Sequence, residues 1–197
     1  MASNGREIEI KLPAAGVNEA RRRLRAAGFR VTKKRVFEKN RVYDTAASDL
    51  RRSASLLRLR EAGKSHKLTY KGMPEVGKHK SREEIETGVA DGPAFDAILA
   101  RLGYLPTFCY EKFRTEFQRR GSKGIATLDE TPIGTYLELE GDPQWIDRMA
   151  RTLGYEEKDY ITASYARLFF EWRERNGATE ENMLFPKSIR SHKRARN

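Results

Sequence analysis

Cysteine is almost missing from this chain. Cys109 is the only one among 197 residues, so a disulfide framework and a cysteine zinc site are both excluded, and the cytoplasm is the default compartment. Set between Phe108 and Tyr110, the lone thiol reads as packing rather than as a nucleophile. Long apolar runs are missing too; the longest are a few residues, as around 168–170, so no membrane span is expected. Residues 1–9 hold no apolar signal core, and no export is expected. Histidine is scarce, and none of His66, His79 and His192 falls beside a serine–acid pair.

Charge is abundant. Lysine and arginine total 39 against 28 acidic residues, a net charge of +11, and such a surplus points to an anionic partner. Five of those cations (Lys187, Arg190, Lys193, Arg194 and Arg196) fall in 187–197 with no acid, which leaves 11 − 5 = +6 for the rest. That segment has little apolar content. The length suits one domain over 1–177, followed by a basic, flexible tail over 178–197.

Three stretches look alike. Glu7-Ile8-Glu9, Glu84-Ile85-Glu86 and Glu138-Leu139-Glu140 each precede a helical pattern that closes on a glycine and an aromatic: Gly28-Phe29, Gly103-Tyr104 and Gly154-Tyr155. Glycine there matches the left-handed residue that ends a helix, and Gly92-Pro93 and Asp142-Pro143 read as helix entries. Alternating runs at 36–44, 55–60, 66–71, 111–117 and 125–130 bring the strand total to about eight. Residues 163–175 read as a C-terminal helix, with Ser164, Tyr165 and Arg167 placed to plug a tunnel end. Residues 72–80 read as a solvated glycine- and lysine-bearing loop, with closure over the tunnel mouth as the other reading.

Side chains alternate faces along a strand. Glu7, Glu9 and Lys11 share one face, as do Arg58 with Arg60, Lys67 with Thr69 and Lys71, and Arg82 with Glu84 and Glu86. Lys112 with Arg114, Thr127 with Asp129, and Glu138 with Glu140 follow the same rule. One such strand is ordinary half-buried sheet. Seven of them, with helices to cover the apolar faces, predict an α+β fold in which the sheet curls into a closed β-barrel with a charged lumen and the helices outside. Crowded carboxylates in a lumen repel unless a divalent cation lies among them, and oxygen-only ligands favour Mg²⁺ or Mn²⁺ over zinc. Arginine forks match phosphate oxygens. Metal plus cationic clamp is the equipment of phosphoryl chemistry.

In order along residues 6–172, Glu7-x-Glu9-x-Lys11, Leu57-Arg58-Leu59-Arg60, Leu68-Thr69-Tyr70-Lys71, Arg82-x-Glu84-x-Glu86, Lys112-x-Arg114, Leu128-Asp129 and Leu137-Glu138-Leu139-Glu140 resemble the CYTH superfamily of triphosphate tunnel metalloenzymes, most closely its class IV adenylyl cyclase and thiamine-triphosphatase-like branch. The resemblance implies an antiparallel eight-stranded tunnel. It implies metal on Glu7, Glu9, Glu138 and Glu140, with Asp129, Glu84 and Glu86 nearby. It implies a triphosphate held by Lys11, Arg58, Arg60, Lys71, Lys112 and Arg114, with Lys67 and Arg82 as weaker members. Asn40 stands where family members often carry aspartate.

The expected activity is hydrolysis of a triphosphate (inorganic, thiamine or nucleoside) by a metal-dependent enzyme, with Glu7, Glu9, Lys11, Glu138 and Glu140 at the reacting centre. Cyclisation of ATP to cyclic AMP and pyrophosphate is the alternative. A non-enzymatic binder of polyphosphate or RNA is a third reading, against which the inward carboxylates count. The expected partner is a small triphosphate-bearing molecule, not nucleic acid or membrane, for a monomer or homodimer.

Overall fold

Leucine, isoleucine and phenylalanine at alternate strand positions give each strand an apolar side that must leave water. The computed structural model describes residues 3–75 and 77–191. It buries those sides under helices, outside one antiparallel sheet closed into a barrel. The chain runs β1 (Ser3–Ala14), α1 (Val17–Ala26), β2 (Phe29–Asp44), α2 (Asp49–Arg52), β3 (Leu56–Ala62), β4 (Ser65–Lys71) and β5 (Lys80–Val89). It continues through α3 (Gly92–Arg101), β6 (Leu105–Arg119), β7 (Ile125–Thr131), β8 (Gly134–Glu140), α4 (Pro143–Thr152), a 3₁₀ turn (Glu157–Asp159), α5 (Tyr165–Asn176) and α6 (Lys187–Ser191).

Around the barrel the order is β1-β5-β4-β3-β2-β6-β7-β8, and β8 closes back onto β1 through pairs such as Lys11↔Glu138. The three look-alike units occupy one side of it. Their strands β5, β1 and β8 are neighbours, in registers that set Glu7 against Arg82 and Glu9 against both Lys80 and Glu140. Each of their helices ends as expected on a glycine of positive φ: Gly28 at 84°, Gly103 at 87° and Gly154 at 84°. A side chain at these positions would strain the turn. Asp91 and Asp142 cap α3 and α4, their carboxylates accepting from Ala94 N and from Gln144 and Trp145 N, with proline in each first turn.

The main core lies outside the barrel. Ile10, Leu12, Leu137 and Leu139 from the strands meet Leu24 of α1 and Ile146 of α4, all fully buried. Burying side chains of this size stabilises by about 1.5–3 kcal/mol each. A smaller cluster seats Leu99 of α3 on Leu59 and Tyr43. Among the described residues no helix is long and apolar enough to cross a membrane.

The structure moves three sequence boundaries. β2 begins at Phe29 and β6 at Leu105, well before 36 and 111, because the two strands form one long ribbon with register shifts near Val31, Lys33 and Val36. Lys33, in a charged stretch that gave no alternation, pairs through it with Glu116, and Lys34 falls in a register shift. The patterned chain also does not stop at 177. Met183 is fully buried against Phe108, Tyr110, Tyr165 and Phe169, and its backbone bonds Cys109 O and Glu111 N. The remaining basic residues, 192–197, lie outside the described residues.

Candidate active site

Closing the sheet turns the charged faces inward onto a cavity of about 280 Å³. Every expected site residue except Asp129 lines it: Glu7, Glu9 and Lys11 on β1, Glu138 and Glu140 on β8, Arg82, Glu84 and Glu86 on β5. Lys67 and Lys71 come from β4, Arg58 and Arg60 from β3, Lys112 and Arg114 from β6. Ser164 and Tyr165, at the start of α5, line the cavity as well, whereas Arg167 pairs with Glu171 on the exterior.

The lining divides into two walls. On the β3-β2-β6 side, carboxylates stand among cations. Arg60 Nε lies 2.9 Å from Asn40 Oδ1 and 3.4 Å from Glu38. Burial alone would raise the Glu38 carboxyl, but Arg60 and Lys112 hold it down at about 2. Asp129 is buried behind this wall rather than lining the cavity. It accepts from Lys112 Nζ at 2.7 Å, from Arg114 through both oxygens and from Tyr165 OH at 2.7 Å. Against the raising effect of burial, Arg114 and Lys112 hold it at about 2. Its oxygens are thus both engaged by charged or hydroxyl donors within this wall. Arg58 donates to Tyr110 OH and Thr69 Oγ1 at 3.2 Å each, while its buried Nε–H and the Asn40 amide nitrogen have no partner among the described residues.

On the β5-β1-β8 side carboxylates crowd. Glu7 takes Lys71, with Arg82 at 3.5 Å; Glu9 takes Lys80 at 3.0 Å and Lys11 at 3.3 Å. Burial would raise Glu9, but Lys11 and Lys80 keep it well below its usual range. Glu140 makes no ion pair among the described residues. Burial and the charges of Glu7, Glu9 and Glu84 push it up to about 7. Burial, with Glu7 beside it, also raises Glu84. Glu138 joins the walls, accepting from Arg114 and lying 3.4 Å from Lys11. Glu86 and Lys67 pair near the exposed rim at 2.5 Å.

Sequence reasoning missed Glu38, Lys80 and Tyr110. Glu38 and Asn40 alternate with Phe37 and Lys39 on a strand that was recognised, so period two was the available signal. Lys80 was counted with the 72–80 loop, although it is two residues before Arg82 and therefore on the same face. The loop is solvated at 73, 75, 77 and 78, and also tied down: His79 and Lys78 reach Asp147 of α4 at 2.8 and 3.0 Å. Tyr110 was read only as a neighbour of Cys109; burial would raise its hydroxyl, but Arg58 and Lys112 bring it to about 8.

The CYTH domain family model matches residues 5–165. A Methanocaldococcus jannaschii protein, provisionally named an adenylate cyclase, is 30% identical over 136 residues, 68% of this chain and 75% of its own. A solved Pyrococcus horikoshii structure superposes with a TM-score of 0.71 at 25% identity, covering 84% of this chain and 98% of that one. A Hippeastrum structure, provisionally an adenylyl cyclase and described as having a dominant triphosphatase activity, has a TM-score of 0.58 at 19% identity, covering 90% and 98%. At that last identity the likeness is one of fold.

Proposed function

The chain belongs to the CYTH domain family, and from that premise we propose that its tunnel is the active site of a metal-dependent phosphohydrolase acting on a triphosphate. One observation carries the reading: a wall of cations with an orphaned buried N–H on Arg58 faces a wall where Glu140 is pushed up by burial and by three other carboxylates. The first is a site for phosphate oxygens, and the second is a site short of positive charge.

The donor set fits a hard divalent cation. Glu7, Glu9, Glu84, Glu138 and Glu140 offer only oxygens, as Mg²⁺ and Mn²⁺ prefer. Among the described residues no three acidic groups are gathered as closely as an ion needs; lysine heads hold Glu7 and Glu9 in the meantime. When bound, the cation would supply charge stabilisation at phosphate oxygens. Arg58, Arg60, Lys112 and Arg114 bind and orient the triphosphate, with Lys11, Lys71 and Arg82 completing the cage. Asp129 and Glu38 hold the cationic heads in place. Water attacks the terminal phosphorus, the phosphoanhydride bond breaks, and orthophosphate and diphosphate leave. A water nucleophile demands less of the site than a positioned ribose hydroxyl.

A second reading, conversion of ATP to cyclic AMP and pyrophosphate, is favoured by the provisional name of the M. jannaschii relative. The test is a product assay with inorganic triphosphate, thiamine triphosphate and ATP, each with Mg²⁺, Mn²⁺ or chelator. Orthophosphate release that disappears with chelator, and falls to background in Glu9→Gln and Glu140→Gln, is expected. Cyclic AMP as the main product from ATP would replace hydrolysis by the second reading. No turnover of any substrate would return the tunnel to a binding role.

A further inference from the structure

Lys80 is an odd member of the tunnel lining, because little of the sheet holds it. It is the first residue of β5, and Glu9↔Lys80 is the last pair of the β1–β5 ladder. The β4–β5 ladder has already ended at Lys71↔Glu84, and beyond it that side of β5 carries only the isolated bridge Glu75↔Ser81. A strand end held on one side by a single bridge frays more readily than one inside a ladder. Yet the Lys80 side chain is almost wholly buried and its Nζ lies 3.0 Å from Glu9. It also lines a second cavity of about 830 Å³ with Arg82, Tyr160 and Ser164, so it stands where the tunnel meets the space beside α5.

The neighbouring residues supply the missing constraint, outside the barrel. Asp147 Oδ1 lies 2.8 Å from His79 Nε2 and accepts from Tyr160 OH at 3.1 Å; its Oδ2 lies 3.0 Å from Lys78 Nζ. Lys78 also reaches Glu157 at 2.9 Å. The His79 and Tyr160 rings pack 6.1 Å apart. Tyr160 precedes Ile161, whose backbone exchanges two 2.9 Å hydrogen bonds with Lys11. One carboxylate on α4 therefore ties together the segments that deliver two tunnel lysines, Lys80 through His79 and Lys11 through Tyr160.

We propose that Asp147, His79 and Tyr160 form a latch of positioning residues that holds the 77–80 segment closed and keeps the Lys80 ammonium in the tunnel beside Glu9, against a bound triphosphate. The latch touches no substrate; it acts through Lys80. The inference rests on the tunnel being the triphosphate site. A purely structural pin would have the same contacts, but its loss would act on folding stability and not selectively on ligand binding through Lys80.

A double-mutant cycle separates the two. Affinity for inorganic triphosphate is measured by calorimetry in the full chain, for Asp147→Ala, His79→Ala, Lys80→Ala and each latch variant combined with Lys80→Ala. Thermal melts and amide exchange over 78–81 accompany them. Each latch variant is expected to weaken binding on the order of tenfold and to speed exchange at Lys80 and Ser81, with no further weakening once Lys80 is alanine. Equal weakening with and without Lys80, or none, overturns the latch. So does unchanged exchange, which tests it without any ligand. Wild-type protein that fails to bind triphosphate while exchange responds as expected would sink the functional reading and leave the 77–80 latch as a structural device without the role proposed here.

Discussion

The two walls of the tunnel use the same residue types to opposite effect. On the β3-β2-β6 side, Glu38 of β2 and Asp129 of the adjoining β7 are held at about 2, against burial, by arginine and lysine heads beside them. On β5-β1-β8, Glu140 is driven to about 7 by burial and by its own kind. The difference lies in register rather than composition. Lys112 and Arg114 stand two residues apart on one strand beside Asp129 on the next, so each carboxylate finds a cation. Glu9 stands opposite Glu140, so two carboxylates find each other. A wall with neutralised charges is a rigid clamp with spare donors for an anion. A wall with surplus negative charge is stabilised by whatever cation enters.

Removing a cation from the saturated wall should do the most damage. Arg114→Ala leaves Asp129 and Glu138, both buried, short of a partner. Breaking a buried ion pair from one side costs about 3–5 kcal/mol. Chemical denaturation should show a loss in that range, and a loss below about 1 kcal/mol would mean that solvent already reaches this wall.

Binding should discriminate next. Arg58→Ala and Arg60→Ala are expected to weaken a non-hydrolysable triphosphate by about 2–5 kcal/mol, as for truncating a desolvated charge partner. Arg52, whose side chain is 72% exposed and turned to Asp49 outside the barrel, should cost about 0–1 kcal/mol when truncated. Equal effects at all three positions would deny that the β3 face is turned inward for the ligand.

What the sequence disclosed follows from what is local. Period two and the Glu-x-Glu doublets are properties of single strands, so nearly all of the lining was legible, as were the helix-ending glycines. Strand order is not local: nothing in 29–44 or 105–119 announces that they pair along most of their length. Which carboxylate finds a cation depends on that pairing, so the contrast between the walls was invisible. Thr127-x-Asp129 resembles the other doublets, and nothing local tells that Lys112 and Arg114 of β6 and Tyr165 of α5 engage both Asp129 oxygens. Met183 and Phe185 were passed over because two apolar residues in a polar stretch carry no period.

The smallest expected effect tests the unsaturated wall most directly. In metal-free protein Glu140 titrates at about 7, whereas a glutamate in an unfolded chain titrates at about 4.3. Between those values the folded state holds the proton more tightly, so stability falls as pH rises through the window; the loss is complete above about pH 7 and absent below about pH 4. Glu140→Gln removes the titration. The variant should therefore be the more stable form above pH 7 and match the wild type near pH 4. Because Glu140 is an exposed residue at the tunnel rim, solvent screening holds the gain to about 1 kcal/mol or less. Thermal melts in chelator across pH 4–8 resolve such a difference, and added Mg²⁺ or Mn²⁺ should raise the wild type more than the variant. Parallel pH curves for the two proteins would mean that Glu7, Glu9 and Glu84 do not burden Glu140, and the surplus of negative charge on this wall would be disproved.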